Sequence, residues 1–116
     1  MIERMMTMLK SSITIIVKEY KYMKHFILNR TCYACPEQYD VFLNEEQVGY
    51  LRLRHGVFRC DYPACGGETL YYTYCDSDGI FSDEERNECI PKAIHAIANK
   101  LNIKDYDVEI HTDDIN

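Results

Sequence analysis

The stretch Val48 to Arg59, VGYLRLRHGVFR, constrains this chain most, because its alternation suits one arrangement of two strands. Gly49, Leu51 and Leu53 alternate with Tyr50, Arg52 and Arg54, the period of two of a strand with one buried and one wet face. His55-Gly56 supplies a two-residue hairpin turn, since glycine takes positive φ freely and histidine visits that region more than most residues. The register then pairs Leu53 with Phe58, Leu51 with Cys60 and Arg52 with Arg59. Leucines face the core, and Tyr50, Arg52, Arg54 and Arg59 share the exposed face as candidate binding residues. Arginines directly opposite each other repel, so Asp40 or Asp61 neutralises them or an anion does. A solvated sheet face accounts for the same alternation without any ligand.

At 116 residues the chain is long enough to bury a core without disulfide or metal staples. Its net charge of −6 is unevenly spread: residues 1–31 carry +4 and the remainder −10. An acidic body argues against general nucleic-acid binding, which depends on neutralising phosphates, and favours a basic partner. Six cysteines are present, yet the start MIERMM lacks the pattern of a secretory signal. The apolar run around Ile13 to Val17 is too short to span a membrane. A cytoplasmic protein with reduced thiols is therefore expected, its cysteines being packing residues, metal ligands or redox groups before they are a disulfide framework.

In residues 1–31, Ile13, Ile16, Val17, Tyr20, Met23 and Ile27 form a helical stripe, whereas the β-branched cluster ITIIV also suits a strand. The reading favoured is a basic, helical N-terminal extension over 1–31 followed by an α+β domain over 32–116. Within that domain, Glu37 to Leu43 and the polar turn Asn44 to Glu46 lead into the central hairpin. Leu70 to Cys75 adds a fourth strand after the Cys65-Gly66-Gly67 break. Ser82-Asp-Glu-Glu85 is a capping box that starts a helix running toward Leu101, with Ile90, Ile94, Ile97 and Leu101 on its buried stripe. Pro91 inside it predicts a kink near Asn87 or a restart. The expected fold is thus a four-stranded antiparallel β-meander, residues 37–75, packed on one kinked C-terminal helix, residues 83–101. The alternating Tyr106, Val108 and Ile110 suggest one more strand at an edge.

Three constellations invite chemistry. Cys32 and Cys35 form a zinc half-site, completed by Cys60 and Cys65 or, at a shorter distance in a meander, by His55 and Cys75. Asp76 to Glu85 matches an EF-hand loop from its third position onward, but Tyr74 stands where the first carboxylate belongs. A nucleophile would be Cys65 or Cys89 with His55 or His95 as base, although Cys89 and His95 are six residues apart and do not share a helix face. No hydrolase, P-loop, zincin or dinucleotide motif occurs, so no enzyme and no cofactor are expected.

The runs TCYACPEQYDVFLNEEQVGYLRLRHG, CGGETLYY and DSDGIF, followed by the helix and covering with it residues 31–101, resemble small uncharacterised proteins carried by phages and mobile elements of bacteria. That resemblance implies a phage-type binding protein in a bacterial host cell, of the kind that inhibits host defence, anti-CRISPR proteins among them. Its expected partner is a host protein or ribonucleoprotein, with neither membrane nor general nucleic-acid binding, and with homodimerisation left open. A sensor or sequesterer of a small anion such as a nucleotide, and a small zinc-stabilised interaction module, are the rival readings.

Overall fold

Positive backbone φ at two residue pairs folds the centre of the chain back on itself twice. His55 (φ +54°) and Gly56 (φ +75°) reverse it between β3 (Glu46–Arg54) and β4 (Val57–Tyr62), the two-residue turn whose twist matches that of paired strands. Asn44 (φ +56°) and Glu45 (φ +69°) do the same between β2 (Glu37–Leu43) and β3. That second turn has two residues where three were expected, yet Val41 still pairs with Gly49 and Tyr39 with Leu51. A bulge between Val41 and Phe42 absorbs the extra residue, which returns the apolar side chains to one face. The central hairpin pairs Leu53 with Phe58, Leu51 with Cys60 and Arg52 with Arg59 as its alternation predicts. β5 (Glu68–Tyr74) continues the antiparallel run beside β4.

The computed structural model describes residues 23–112, and it corrects the expected four-stranded meander. With β1 (Lys24–Cys32) and β6 (Tyr106–His111), the sheet has six strands in the order β5-β4-β3-β2-β1-β6 and is mixed. β1 lies antiparallel to β2, and β6 is the edge strand, parallel to β1. The N-terminal helical extension is therefore wrong where it can be seen. Lys24 to Cys32 is extended because Phe26 and Leu28 alternate with Ile27 and Asn29, and Phe26 and Leu28 are fully buried. The helical stripe joined Ile27, which pairs with Phe42 on the opposite face, to Met23, just before β1, and to residues outside those described. Residues 1–22, including Ile13 to Tyr20, lie outside the described part.

One helix, α1 (Asp83–Lys100), covers one face of the sheet. The Ser82 hydroxyl accepts the Glu85 N–H at 3.1 Å, and Asp83, Glu84 and Glu85 place negative charge at the positive end of the helix dipole. The chain runs through Pro91 as a single helix without the restart considered from sequence. Its buried positions are Cys89, Ile90, Ala93, Ile94, Ile97 and Ala98, which meet Phe26, Leu28, Val41, Leu51, Leu53 and Phe58 from the sheet. Gly49 is required at the closest approach: a Cβ there would lie 2.5 Å from Ile97 Cδ1 and 3.2 Å from Val41 Cβ. No described helix is long and apolar enough to cross a membrane.

The buried face carries one charged residue that the alternation did not single out. Glu37, paired with Leu53 and 1% exposed, accepts hydrogen bonds from Tyr39 Oη (2.5 Å), Phe81 N–H (2.9 Å) and Arg86 Nε (2.8 Å) and Nη2 (3.1 Å). Its own N–H donates to Gly79 O at 2.7 Å. Burial pushes its carboxyl pKa up, but the Arg86, Tyr39 and Phe81 hydrogen bonds outweigh burial and hold it below the ordinary value. Glu37 thus ties β2, the 75–82 loop and the first turns of α1 to one another.

The parallel β1–β6 pairing has its own clamp, on the face away from α1. His25 Nδ1 meets Asp107 Oδ1 at 2.5 Å and His25 Nε2 meets Glu109 Oε1 at 2.9 Å, while His111 Nε2 takes Glu109 Oε2 at 2.5 Å. Hydrogen bonds to Asp107 and then Glu109 raise the His25 pKa above 6.5, and those from His111 and then His25 lower that of Glu109 below 4.5. A raised histidine pKa stabilises the fold below its unfolded value and ceases to as pH rises through the folded one; a lowered carboxylate acts in the reverse sense. The clamp is therefore expected to be strongest in mildly acid solution. The melting-temperature gap between wild type and His25→Gln should shrink as the solution is made alkaline. An identical gap in mildly acid and alkaline buffer would show that the clamp contributes nothing.

Candidate functional site

The face of the sheet opposite α1 gathers the arginines. Arg52, Arg54, His55, Val57 and Arg59 line a shallow depression of about 390 Å³ at the β3–β4 turn. Register explains this: Arg52 pairs with Arg59 and Arg54 with Val57, so all four side chains leave the same face, with His55 at the turn beside them.

The charges are not equivalent. Arg59 Nε lies 3.2 Å from Asp61 Oδ1, and Asp61, 1% exposed, also accepts Gly66 N–H and Thr69 Oγ1–H, each at 3.0 Å. Of the two carboxylates considered from sequence, Asp61 thus neutralises Arg59, and Asp40 instead accepts from Gln47 Nε2 at 3.3 Å. Burial raises the Asp40 pKa. Arg52 lies with its guanidinium 6.0 Å from the Tyr50 ring centre. Among the described residues Arg52 and Arg54 have no carboxylate within ion-pair distance. Like charges held side by side without counter-charges are the electrostatic signature of a surface that accepts an anion.

Tyr50 lies beside Arg52 and is largely covered. It is 9% exposed and donates its hydroxyl to Gln38 Oε1 at 3.0 Å, so it forms a floor that supports Arg52. Two other tyrosines take the outward place. Tyr72 pairs with Arg59 and Tyr74 with Val57, which puts both rings on the arginine face. They are 49% and 74% exposed, their hydroxyls are 2.7 Å apart and their rings meet edge to face at 5.4 Å. The alternation of Leu70-Tyr71-Tyr72-Thr73-Tyr74 could have revealed them, had β5 been aligned to β4 by residue.

The cysteines take other places. All six are free thiols, and among the described residues no group of three or more His, Cys, Asp or Glu side chains is arranged to hold a metal ion. Cys60 is in the core with its Sγ 3.9 Å from Ala93 O, and burial raises its pKa to about 12. Cys75 sits at the end of β5 against Cys89 of α1; burial first, then the Cys89 thiol, pushes Cys75 up to about 12. A nucleophilic thiolate is scarce at such a value. Cys65 is in the β4–β5 loop, at the end of the hairpin opposite His55, and His95 is on α1 near Tyr106 Oη at 3.5 Å. None of the cysteine–histidine pairs considered from sequence is brought together in a hydrogen bond. In the 76–85 loop, Glu85 accepts the Asp76 N–H at 2.8 Å, and the Ser77 side chain, followed by backbone N–H groups, lowers its pKa. That carboxylate closes the loop onto the helix as part of the cap.

Compared with protein-family models, curated proteins and solved structures, the chain matches none.

Proposed function

We propose that this is a non-enzymatic binding protein that docks its open sheet face on an acidic surface of a macromolecular partner, in the manner of a phage-type inhibitor acting in the cytoplasm of a bacterial host. The observation that carries this reading is the juxtaposition on one face of Arg52, Arg54 and His55, with no carboxylate among the described residues within ion-pair distance of the two arginines, and the exposed Tyr72–Tyr74 pair. Arginine and tyrosine are the types that dominate interface energetics, arginine through charge-assisted, bidentate hydrogen bonds and tyrosine through rigid amphipathic area. A depression this shallow, open to solvent and built on a rigid sheet, suits a protruding carboxylate or phosphate group of a large partner.

The partner captured from host lysate by wild-type protein is expected to be lost with Arg52→Ala and Arg54→Ala, each weakening binding by about 1–3 kcal/mol. Charge reversal at Glu84 and Glu88, exposed on α1, should leave capture intact. Retention by both arginine variants together with loss on reversing Glu84 and Glu88 would move the site to the acidic helix. A small-anion sensor is the second reading, motivated by the same depression: stabilisation of the wild type by millimolar nucleotide, abolished by Arg54→Ala, with no protein captured, would favour it.

A further inference from the structure

Cys75, immediately after β5, and Cys89 of α1 face each other with free thiols in side-chain hydrogen-bond contact. Cys89 is buried in the core, and Cys75 packs against that core half-buried. Backbone tethers hold the two in this relation. The Cys75 N–H donates to Gly56 O at 2.8 Å, and the next residue, Asp76, donates its N–H to Glu85 Oε2 at 2.8 Å. Glu85 stands one helical turn before Cys89, on the same side of α1. Residues 75–89 therefore form a nearly closed ring that is itself fastened to the sheet: Asp78 O accepts the Gly56 N–H at 2.8 Å, Gly79 O accepts the Glu37 N–H at 2.7 Å, and the Phe81 N–H donates to Glu37 Oε1 at 2.9 Å.

We infer that Cys75 and Cys89 are a reversible disulfide site, oxidised by a low-molecular-weight disulfide such as oxidised glutathione, and that the bond locks the ring of residues 75–89. The Cys75 thiolate, the more accessible of the two, attacks one sulfur of glutathione disulfide. A mixed disulfide forms, and one glutathione leaves as a thiolate that takes up the proton Cys75 gave to solvent. The Cys89 thiolate then attacks Cys75 Sγ and expels the second glutathione in the same way, so two protein thiols are oxidised while one glutathione disulfide is reduced to two thiols. Burial raises both thiol pKa values, that of Cys75 to about 12, so exchange is slow near neutrality and quickens as the solution is made alkaline. The bond takes conformational freedom from the unfolded chain, which favours the folded one. The pair lies on the helix side of the sheet, away from the arginine face, and its chemistry is independent of the partner proposed above.

The test incubates the folded full-length chain with oxidised glutathione in mildly alkaline buffer, alkylates the remaining thiols and maps tryptic peptides by mass spectrometry. Trypsin cleaves after Arg86, between the two cysteines, so the bond should appear as two peptides joined through Cys75 and Cys89 that separate on adding dithiothreitol. The oxidised protein should melt roughly 5–15 °C above the reduced one. Cys75→Ser and Cys89→Ser should each abolish that rise, and Cys65→Ser should keep it. Recovery of Cys75 and Cys89 both alkylated, or of Cys75 carrying glutathione beside an alkylated Cys89, would overturn the inference, and so would a link between them that leaves the melting temperature unchanged.

Discussion

Glu37→Ala is expected to lower the stability of this protein by about 3–5 kcal/mol, the usual consequence of removing one partner of a buried ion pair. At about 4–8 °C per kcal/mol for a domain of this size, the melting temperature should fall by more than about 12 °C. The size of the effect follows from what the carboxylate satisfies. Without it the Tyr39 hydroxyl and the Phe81 N–H lose their acceptor, and the Arg86 guanidinium keeps only Asp83 Oδ1 and Phe81 O. Arg86→Ala should also be damaging, because it leaves the buried carboxylate with only the more distant Arg30 guanidinium, 4.0 Å away, as counter-charge. The pH dependence has a definite sign. Since the Glu37 pKa is lowered from 4.5, its contribution is present above that value and is lost as pH falls through the folded value. The melting gap between wild type and Glu37→Gln should thus be steady near neutrality and close in acid. Variants of Glu37 and Arg86 that both melt within a few degrees of wild type would show that this node does not hold α1 to the sheet.

Leu51→Asp should abolish cooperative unfolding altogether. Leu51 is fully buried between Tyr39 and Cys60 in the sheet register and lies in the core cluster with Ile94 and Ile97. An aspartate there creates a cavity and an unpaired buried charge, each belonging to the mechanisms that exceed about 4 kcal/mol. Arg52→Glu, one residue away, should leave the melting temperature within a few degrees, because its side chain leaves the opposite face. Calorimetry on the two variants checks the facing of β3 directly, and equal effects would reverse it. The same pair of variants separates stability from binding, since only the arginine change should weaken partner capture while leaving the fold intact.

Local order was legible in the sequence wherever side-chain period and turn chemistry act over a few residues. The alternation of Leu51 and Leu53 with Arg52 and Arg54, and the His55-Gly56 turn, determined the central hairpin and its register, hence the shared face of Arg52, Arg54 and Arg59. Ser82 and the isoleucine stripe likewise determined where α1 starts and which side it buries. Tertiary structure decided the rest, because it turns on residues far apart in the chain. Lys24 to Cys32 is a strand because β2 and β6 hydrogen-bond to its two edges, a pairing partner no local pattern could name, while the helical stripe drawn through Met23 and Ile27 was an equally good local fit. Whether Glu37 is a tolerable charge on a buried face depends on Arg86, 49 residues later. Whether a given arginine is spoken for depends on Asp61, held in place by the Gly66 N–H and Thr69. Periodicity reports which way a side chain points, and only the packed chain reports what stands opposite it.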